Sequence, residues 1–350
     1  MKIKDYRKRE HMVKEKIGVL LINLGTPGGP DKTSVKRYLK QFLDDPRVID
    51  LPWLIRKALL HLFILPFRPA KTAKAYAAIW DQKGSPLLLH SMHLATELQQ
   101  TLGKDYQVEV GMRYGKPSIP SAIDKLLAAK CHNIIVLAMF PQYSSAANGS
   151  ALENVMQYFD AKWNIPGLKI LPAFYRDPGY IEAQAKLIQP YLNKNPNQKI
   201  LFSYHSLPAR HIEKSQGCAT SCAMTAPCPA VAGDSTFCYR AQCYETSHLL
   251  AQKLQLSDSQ YTVAFQSRLG RTVWVGPDIQ SVMPQLIKQG TKDLLVACPS
   301  FVADCLETLE EIGIRAKEEW LRLGGDTFTL VPCLNAEPMW VQTVADLVRQ

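Results

Sequence analysis

The strongest constraint on the fold is a set of short apolar runs, each leading into a helical pattern, that recur along the chain in two matching series. In the first half they predict strands at Gly18–Leu24, Gln107–Met112, Asn133–Met139 and Leu168–Leu171; in the second, at Lys199–Tyr204, Thr262–Gln266, Asp293–Ala297 and Phe328–Val331. Apolar character that is continuous rather than alternating marks parallel strands buried on both faces. The two series repeat one another: GVLLINLGTP resembles KILFSYHSLP, and NIIVLAMFPQYS resembles DLLVACPSFVAD. Each unit runs a buried strand into a Pro-containing loop at its carboxyl end, where ligands of open α/β sheets bind. The expected architecture is therefore α/β, with two similar Rossmann-like domains, each a parallel sheet flanked by helices, facing across a cleft. We place them at residues 17–165 and 166–335, with a last helix over 336–350 packing back on the first domain.

A chain of 350 residues, 47% of them hydrophobic, is long enough for two such cores. Its first sixteen residues, MKIKDYRKREHMVKEK, are charged and lack an apolar stretch, so a cytoplasmic protein is expected. The net charge of +10 suits nucleic acid, anionic lipid or an acidic small molecule. No helix-turn-helix, zinc-finger or RNA-binding signature accompanies it, which argues against nucleic acid. The most apolar surface candidate is LPWLIRKALLHLFILPFRP, residues 51–69, broken by Arg56, Lys57 and His61 and too short to span a bilayer. It reads either as a buried helix or as an amphipathic lip touching lipid or a greasy substrate at the inner face of a membrane.

Two places carry candidate chemistry. His205 follows the strand LFSY and is expected in a loop at the strand's carboxyl end. In CPSFVADCLETLEE, Asp304 is expected to cap a helix bearing Glu307, Glu310 and Glu311. Glu307 and Glu311 stand four apart and so share one helical face. Such a face is either a solvated acidic surface or, if it lines the cleft, a set of hard oxygen ligands that with His205 suits a labile Fe²⁺.

Motifs in a fixed order then identify a resemblance. LLINLGTPGGP, VKRYLKQFLDDPRVIDLP, KGSPL, GMRYGKP, FPQYSSAANGS, LFSYHSLP, FQSRLGRTVWVGP and CPSFVADCLETLEE are together similar to the ferrochelatase family, from about Gly18 to the last helix. The resemblance implies an enzyme, formally a lyase, that inserts Fe²⁺ into protoporphyrin IX in the last step of heme synthesis, within a porphyrin cleft. It assigns His205 and Glu307 as catalytic groups facing each other; Glu311, on the helical face shared with Glu307, is expected beside them on the incoming metal. It places Arg113, Tyr114, Tyr143, Ser144 and Trp274 in or beside the porphyrin pocket, with Arg113 as a propionate partner. Asn23, in NLGTP, resembles the protoporphyrin-using branch. Cys305 departs from the family pattern, since many relatives carry histidine two residues before the glutamate. The alternatives are a chelatase for another metal or tetrapyrrole, and a non-catalytic porphyrin or heme carrier.

Nine cysteines without an export signal argue against a disulfide framework, yet five crowd between Cys218 and Cys243. They fall in or just after an insert over about 216–240 that is longer than the corresponding loop of most relatives. Thiolates so close suit a [2Fe–2S] cluster or a tetrahedral zinc. Some ferrochelatases carry a [2Fe–2S] cluster, and by that resemblance Cys218, Cys222, Cys228 and Cys238 are the expected ligands.

Overall fold

The structure is a computed structural model that describes residues 16–160, 162–215, 228, 231, 233–268, 270 and 272–350. Among the described residues, eight parallel strands form two sheets of four. The first holds β1 (Ile17–Gly25), β2 (Tyr106–Tyr114), β3 (Asn133–Ala138) and β4 (Gly167–Ile170) in the order β2-β1-β3-β4. The second holds β5 (Lys199–His205), β6 (Tyr261–Gln266), β7 (Asp293–Ala297) and β8 (Thr327–Leu330) in the order β6-β5-β7-β8. The repeat read from the sequence is thus a repeat of topology. β4 pairs with β3, so the first sheet ends at Ile170 rather than at residue 165.

The match extends to the joints. After β2 the chain folds back so that Met112 N donates to Pro117 O, and the helix Ile119–Ala128 starts under a Ser118 cap. After β6, Phe265 N donates to Pro277 O, and Asp278 caps the helix Ile279–Lys288. β1 ends at Gly25, where φ is 110° and a Cβ would lie 1.8 Å from the Tyr114 carbonyl oxygen, so only glycine lets the ends of β1 and β2 approach this closely.

Central residues of both sheets are buried on both faces, as the uninterrupted apolar runs require; Leu20, Ile22, Leu201 and Phe202 are fully buried. One core joins the halves, containing Val19, Leu21 and Val110 from the first sheet with Phe202, Tyr204 and Phe265 from the second. The last helix, Pro338–Arg349, seals it. Its Trp340 is fully buried against the rings of Phe174 and Tyr180, at 5.5 and 5.9 Å between centroids, and Arg349 donates to Thr101 O of the helix Pro86–Leu102 at 3.0 Å.

The candidate lip folds as one helix, α-helical over Trp53–Ala58 and π-helical over Leu59–Ile64. Only one side is buried, through Arg56, Leu60 and Leu65. Trp53, Leu54, Ile55, Leu62, Phe63 and Phe67 are all exposed. The buried-helix reading of this segment is therefore set aside for the amphipathic one. Among the described residues no helix is long and apolar enough to cross a membrane.

Candidate active site

In each sheet the order 2-1-3-4 makes the chain diverge to either side of the first strand, opening a crevice at the carboxyl ends of β1 and β3, and again of β5 and β7. His205 occupies the second crevice. It is the last residue of β5 rather than a loop residue, and its N–H donates to Ser300 Oγ beyond β7 at 3.2 Å. The imidazole is half-buried, tilted against Phe301, with Nδ1 2.6 Å from the Ser206 carbonyl oxygen. A carbonyl only accepts, so Nδ1 carries the proton in the neutral ring and Nε2 keeps its lone pair.

Trp274 is held beside this histidine by a short antiparallel bridge. Pro208 pairs with Trp274, Val275 N donates to Leu207 O at 2.8 Å, and Ala209 N donates to Val273 O at 2.9 Å.

Glu307 opens the helix Glu307–Ala316, which is π-helical rather than α-helical, so the stacking of Glu307 on Glu311 expected from α-geometry does not apply. Glu311 turns away to β6, where its two oxygens accept from Ser267 N (2.8 Å) and Oγ (2.5 Å) and hold Ser267 at a φ of 69°. Buried Gln266 fixes the start of the helix by donating from Nε2 to Glu307 O at 2.8 Å, while its Oε1 accepts from Ser203 Oγ at 2.7 Å. Asp304 does not cap the helix backbone. Its carboxylate accepts from Thr308 Oγ1, Cys333 N and Asn335 Nδ2. Among the described residues no three His, Cys, Asp or Glu side chains are gathered to hold a metal, so His205, Glu307 and Glu311 do not form a ready-made triad.

The surroundings of Glu307 include groups the sequence reading missed. Burial first, and the nearby Glu307 charge after it, push the Cys305 thiol well up. Tyr38 and Tyr76, both buried, feel the same charge and are raised chiefly by burial. Half-buried Arg68 lies close enough for Glu307 to favour its charge, although burial lowers its pKa overall. Leu24, Val48, Ile49, Ile64 and Leu306 line the same apolar cluster.

The remaining predicted residues divide. Arg113 is tied down, with Nη2 on Asp45 Oδ2 at 2.6 Å and Nε on Ser150 O and Oγ at 3.0 and 2.6 Å, so it is no free propionate cation. The Tyr114 hydroxyl donates to the same Asp45 oxygen at 2.8 Å. Tyr143 is half-buried, meets Phe237 edge to face, and borders a cavity of about 370 Å³ shared with Arg47, Asp50, His211 and Lys214. Ser144 spends its hydroxyl on Ala147 N as the cap of the π-turn Ser145–Gly149. Asn23 is closed on itself and Ser91, its Oδ1 accepting from Leu24 N and its Nδ2 donating to Ser91 Oγ. Strand alternation turns Leu24 the other way, onto the apolar cluster that Leu306 joins, while Asn23 faces Ser91, Val302 and Ala303.

Of the insert cysteines, Cys218 and Cys222 lie outside the described residues. Cys238 is fully buried at the start of the helix Tyr239–Lys253, and Cys228 packs against the same core. Arg240 Nη1 donates to Cys228 Sγ at 2.7 Å. Cys243 is close enough to both sulfurs for their charges to add to the effect of burial, which pushes its thiol well up.

Comparison with known proteins agrees with this layout. The profile of the Ferrochelatase family matches residues 16–350. A ferrochelatase of Legionella pneumophila (strain Lens) is 52% identical over 333 residues, covering 95% of this chain and 98% of the relative. One from Coxiella burnetii (strain RSA 493 / Nine Mile phase I) is 51% identical over 336 residues, covering 96% and 94%. Among solved structures, SirB from Bacillus subtilis with Fe3+ superposes with a TM-score of 0.52 at 11% identity, over 95% of this chain and 94% of that one, which shows a shared fold. With its two-sheet fold, its motifs in order and relatives this similar over nearly their whole length, the chain belongs to the ferrochelatase family.

Proposed function

We propose that the porphyrin into which this ferrochelatase-family chain inserts Fe²⁺ is protoporphyrin IX, with His205 as the base and Glu307 as the acidic group of the reaction. The observation that carries the assignment is the bond from His205 Nδ1 to Ser206 O, which leaves Nε2 as a fixed acceptor. Two pyrrole protons must leave as the metal enters, and a neutral imidazole takes a proton near neutral pH. Glu307 is in no ion pair within 4 Å among the described residues, so its carboxylate is available to strip water from Fe²⁺ or to take up a released proton. The ring must pucker for its nitrogens to reach the metal, and rigid groups such as Trp274, fixed through its bridge to Pro208, are suited to press on it.

The choice of protoporphyrin rests on the wall around Glu307. Leu24, Val48, Ile49, Ile64 and Leu306 suit vinyl and methyl edges, whereas Arg113 is neutralised by Asp45. Arg68, half-buried and outside every ion pair within 4 Å among the described residues, is the better propionate partner. A strong turnover preference for coproporphyrin III would overturn this choice.

The exposed apolar face of the lip supports peripheral contact with a membrane, from which a poorly soluble porphyrin would be taken. The insert supports a [2Fe–2S] cluster on Cys218, Cys222, Cys228 and Cys238. The described pair fits thiolate ligation, because Cys228 Sγ already accepts from a guanidinium and Cys238 is shielded from water. Metal insertion moves no electrons, so the cluster's contribution when bound is to cross-link the loop. Visible absorption, iron and acid-labile sulfide should be present in the wild type and lost in Cys228→Ser and Cys238→Ser. A colourless protein with stoichiometric zinc rejects the cluster.

The deciding assay is anaerobic Fe²⁺ insertion into protoporphyrin IX, followed by loss of porphyrin fluorescence. Removal of a positioned base predicts a fall of about 10²- to 10⁴-fold in His205→Ala, with a comparable loss in Glu307→Ala. Tight porphyrin binding without insertion by the wild type would point to a carrier instead, and near-normal turnover by His205→Ala would remove it as the base.

A further inference from the structure

Asp45 lies in the bend after the helix Lys32–Leu43 and has the most saturated carboxylate near the cleft. Its Oδ2 accepts from Arg113 Nη2 (2.6 Å), the Tyr114 hydroxyl (2.8 Å) and Ser150 Oγ (2.6 Å), and its Oδ1 from Arg47 N (2.7 Å). An ionised carboxylate offers about four lone-pair sites, so nothing remains for a metal or a substrate proton. Burial raises the carboxyl's pKa, but the Ser150 hydroxyl, the Arg47 amide, Tyr114 and Arg113 together bring it below the ordinary range. Any part Asp45 has in catalysis must therefore pass through its neighbours.

Arg113 is the neighbour that can carry it. Ser150 takes its Nε and Asp45 its Nη2, while Nη1 makes no hydrogen bond among the described residues. Exposure rises from 2% for the Asp45 side chain to 18% for that of Arg113, so the acid forms the inner end of the pair and the guanidinium the outer. A guanidinium bound along two of its edges has one orientation left. We infer that Asp45 is a positioning residue: it fixes Arg113 so that Nη1 alone meets the porphyrin as a directional donor. This rests on the place beside the porphyrin pocket that the family resemblance implies for Arg113, where Arg68 supplies the free cation and Arg113 one directed N–H.

The test is a double-mutant cycle on insertion kinetics with Asp45→Asn, Arg113→Leu and the pair, reading KM for porphyrin and for Fe²⁺ separately. Loss of one charge-assisted hydrogen bond predicts a porphyrin KM raised about tenfold to a hundredfold in each single variant. The Fe²⁺ KM stays unchanged, and the double variant is no worse than Arg113→Leu. Ser150→Ala leaves no buried charge unpaired and so guards against misfolding of Asp45→Asn. It removes a hydroxyl that bonds both Asp45 and Arg113, and should raise the porphyrin KM severalfold, by roughly the worth of a neutral hydrogen bond. Additive losses in the double variant, or equal rises in both KM values, overturn the inference while sparing the place of Arg113. An inert Arg113→Leu instead overturns the reading on which it rests.

Discussion

If the lip meets lipid, replacing Leu62 and Phe63 by glutamate should release the protein from vesicles containing anionic phospholipid. Each side chain is 64% exposed on the helix Trp53–Ile64, with Phe67 beyond it at 75%. Full burial of a leucine or phenylalanine stabilises by about 1.5–3 kcal/mol, so roughly two-thirds of that, ~1–2 kcal/mol per residue, is still to be gained in the interface. Losing both terms costs about 2–4 kcal/mol, a drop in partition of roughly thirtyfold to several hundredfold. Each added carboxylate near an anionic surface is unfavourable as well, so Leu62→Gln with Phe63→Gln isolates the apolar part. Co-sedimentation reads the partition, and turnover with detergent-dispersed porphyrin reads the active site, which should be unchanged. A wild type that does not sediment, or a glutamate variant weakened less than about threefold, refutes the lipid contact. A raised porphyrin KM without any change in sedimentation would mean that the face serves the cleft.

Other consequences can be checked alongside. Trp340→Ala empties a fully buried site between Phe174 and Tyr180 and should cost about 3–5 kcal/mol in urea unfolding; Trp340→Phe should cost much less, because the Nε1 it removes has no hydrogen-bond partner among the described residues. Asp50, just before the lip, accepts from Arg210 and Lys214 and sits 3.3 Å from His211, all on the helix Ala209–Lys214 of the other half. Burial raises its carboxyl, but Arg210, Lys214 and His211 outweigh this and hold it far below the ordinary range. A depressed carboxyl stabilises above its unfolded value, near ~3.9, and loses that contribution as pH falls toward the folded value. His211, lowered by burial against the pull of Asp50, is lowered further without it, so the narrowing of the gap in acid comes from Asp50 itself. The melting-temperature gap between wild type and Asp50→Asn should therefore be full at pH 6 and shrink below about pH 4; a constant gap down to pH 3 contradicts the linkage.

What the sequence made legible follows from what each signal measures. A parallel strand buried on both faces must be apolar throughout, so the central strands β1, β3, β5 and β7 showed as runs, and the more exposed edge strands β4 and β8 still lay within a residue of their reading. The same continuity hid which residues face the cleft, because Asn23 and Leu24 lie in one run and only tertiary contacts tell them apart. Asp45, Arg68 and Tyr76 escaped notice because each looks like a surface charge or core aromatic until the chain brings it to Glu307 or Arg113 from far away in sequence. The π-helical start at Glu307 is equally invisible in composition, and the bonds that accompany it come from Gln266 and Ser267 at the end of β6, far away in sequence.

The repeat also explains how one fold yields an asymmetric site. Aligning GVLLINLGTP with KILFSYHSLP places Leu24 opposite His205, and aligning the β3 and β7 units places Ser144 opposite Asp304. Both halves end β1 or β5 on a crevice, and both start a π-turn beyond the third strand. In the first half those positions hold a leucine and the acid-free segment Ser145–Gly149; in the second they hold an imidazole and a helix beginning with Glu307. With no imidazole or carboxylate at those two positions, the first half offers walls there, through Leu24, Tyr38, Tyr76 and Tyr114, with Asp45 holding Arg113 nearby. If His205 and Glu307 act as proposed, base and acid come from the same half, and their spacing is set by the pairing of β5 with β6 and by the bond from Gln266 to Glu307 O.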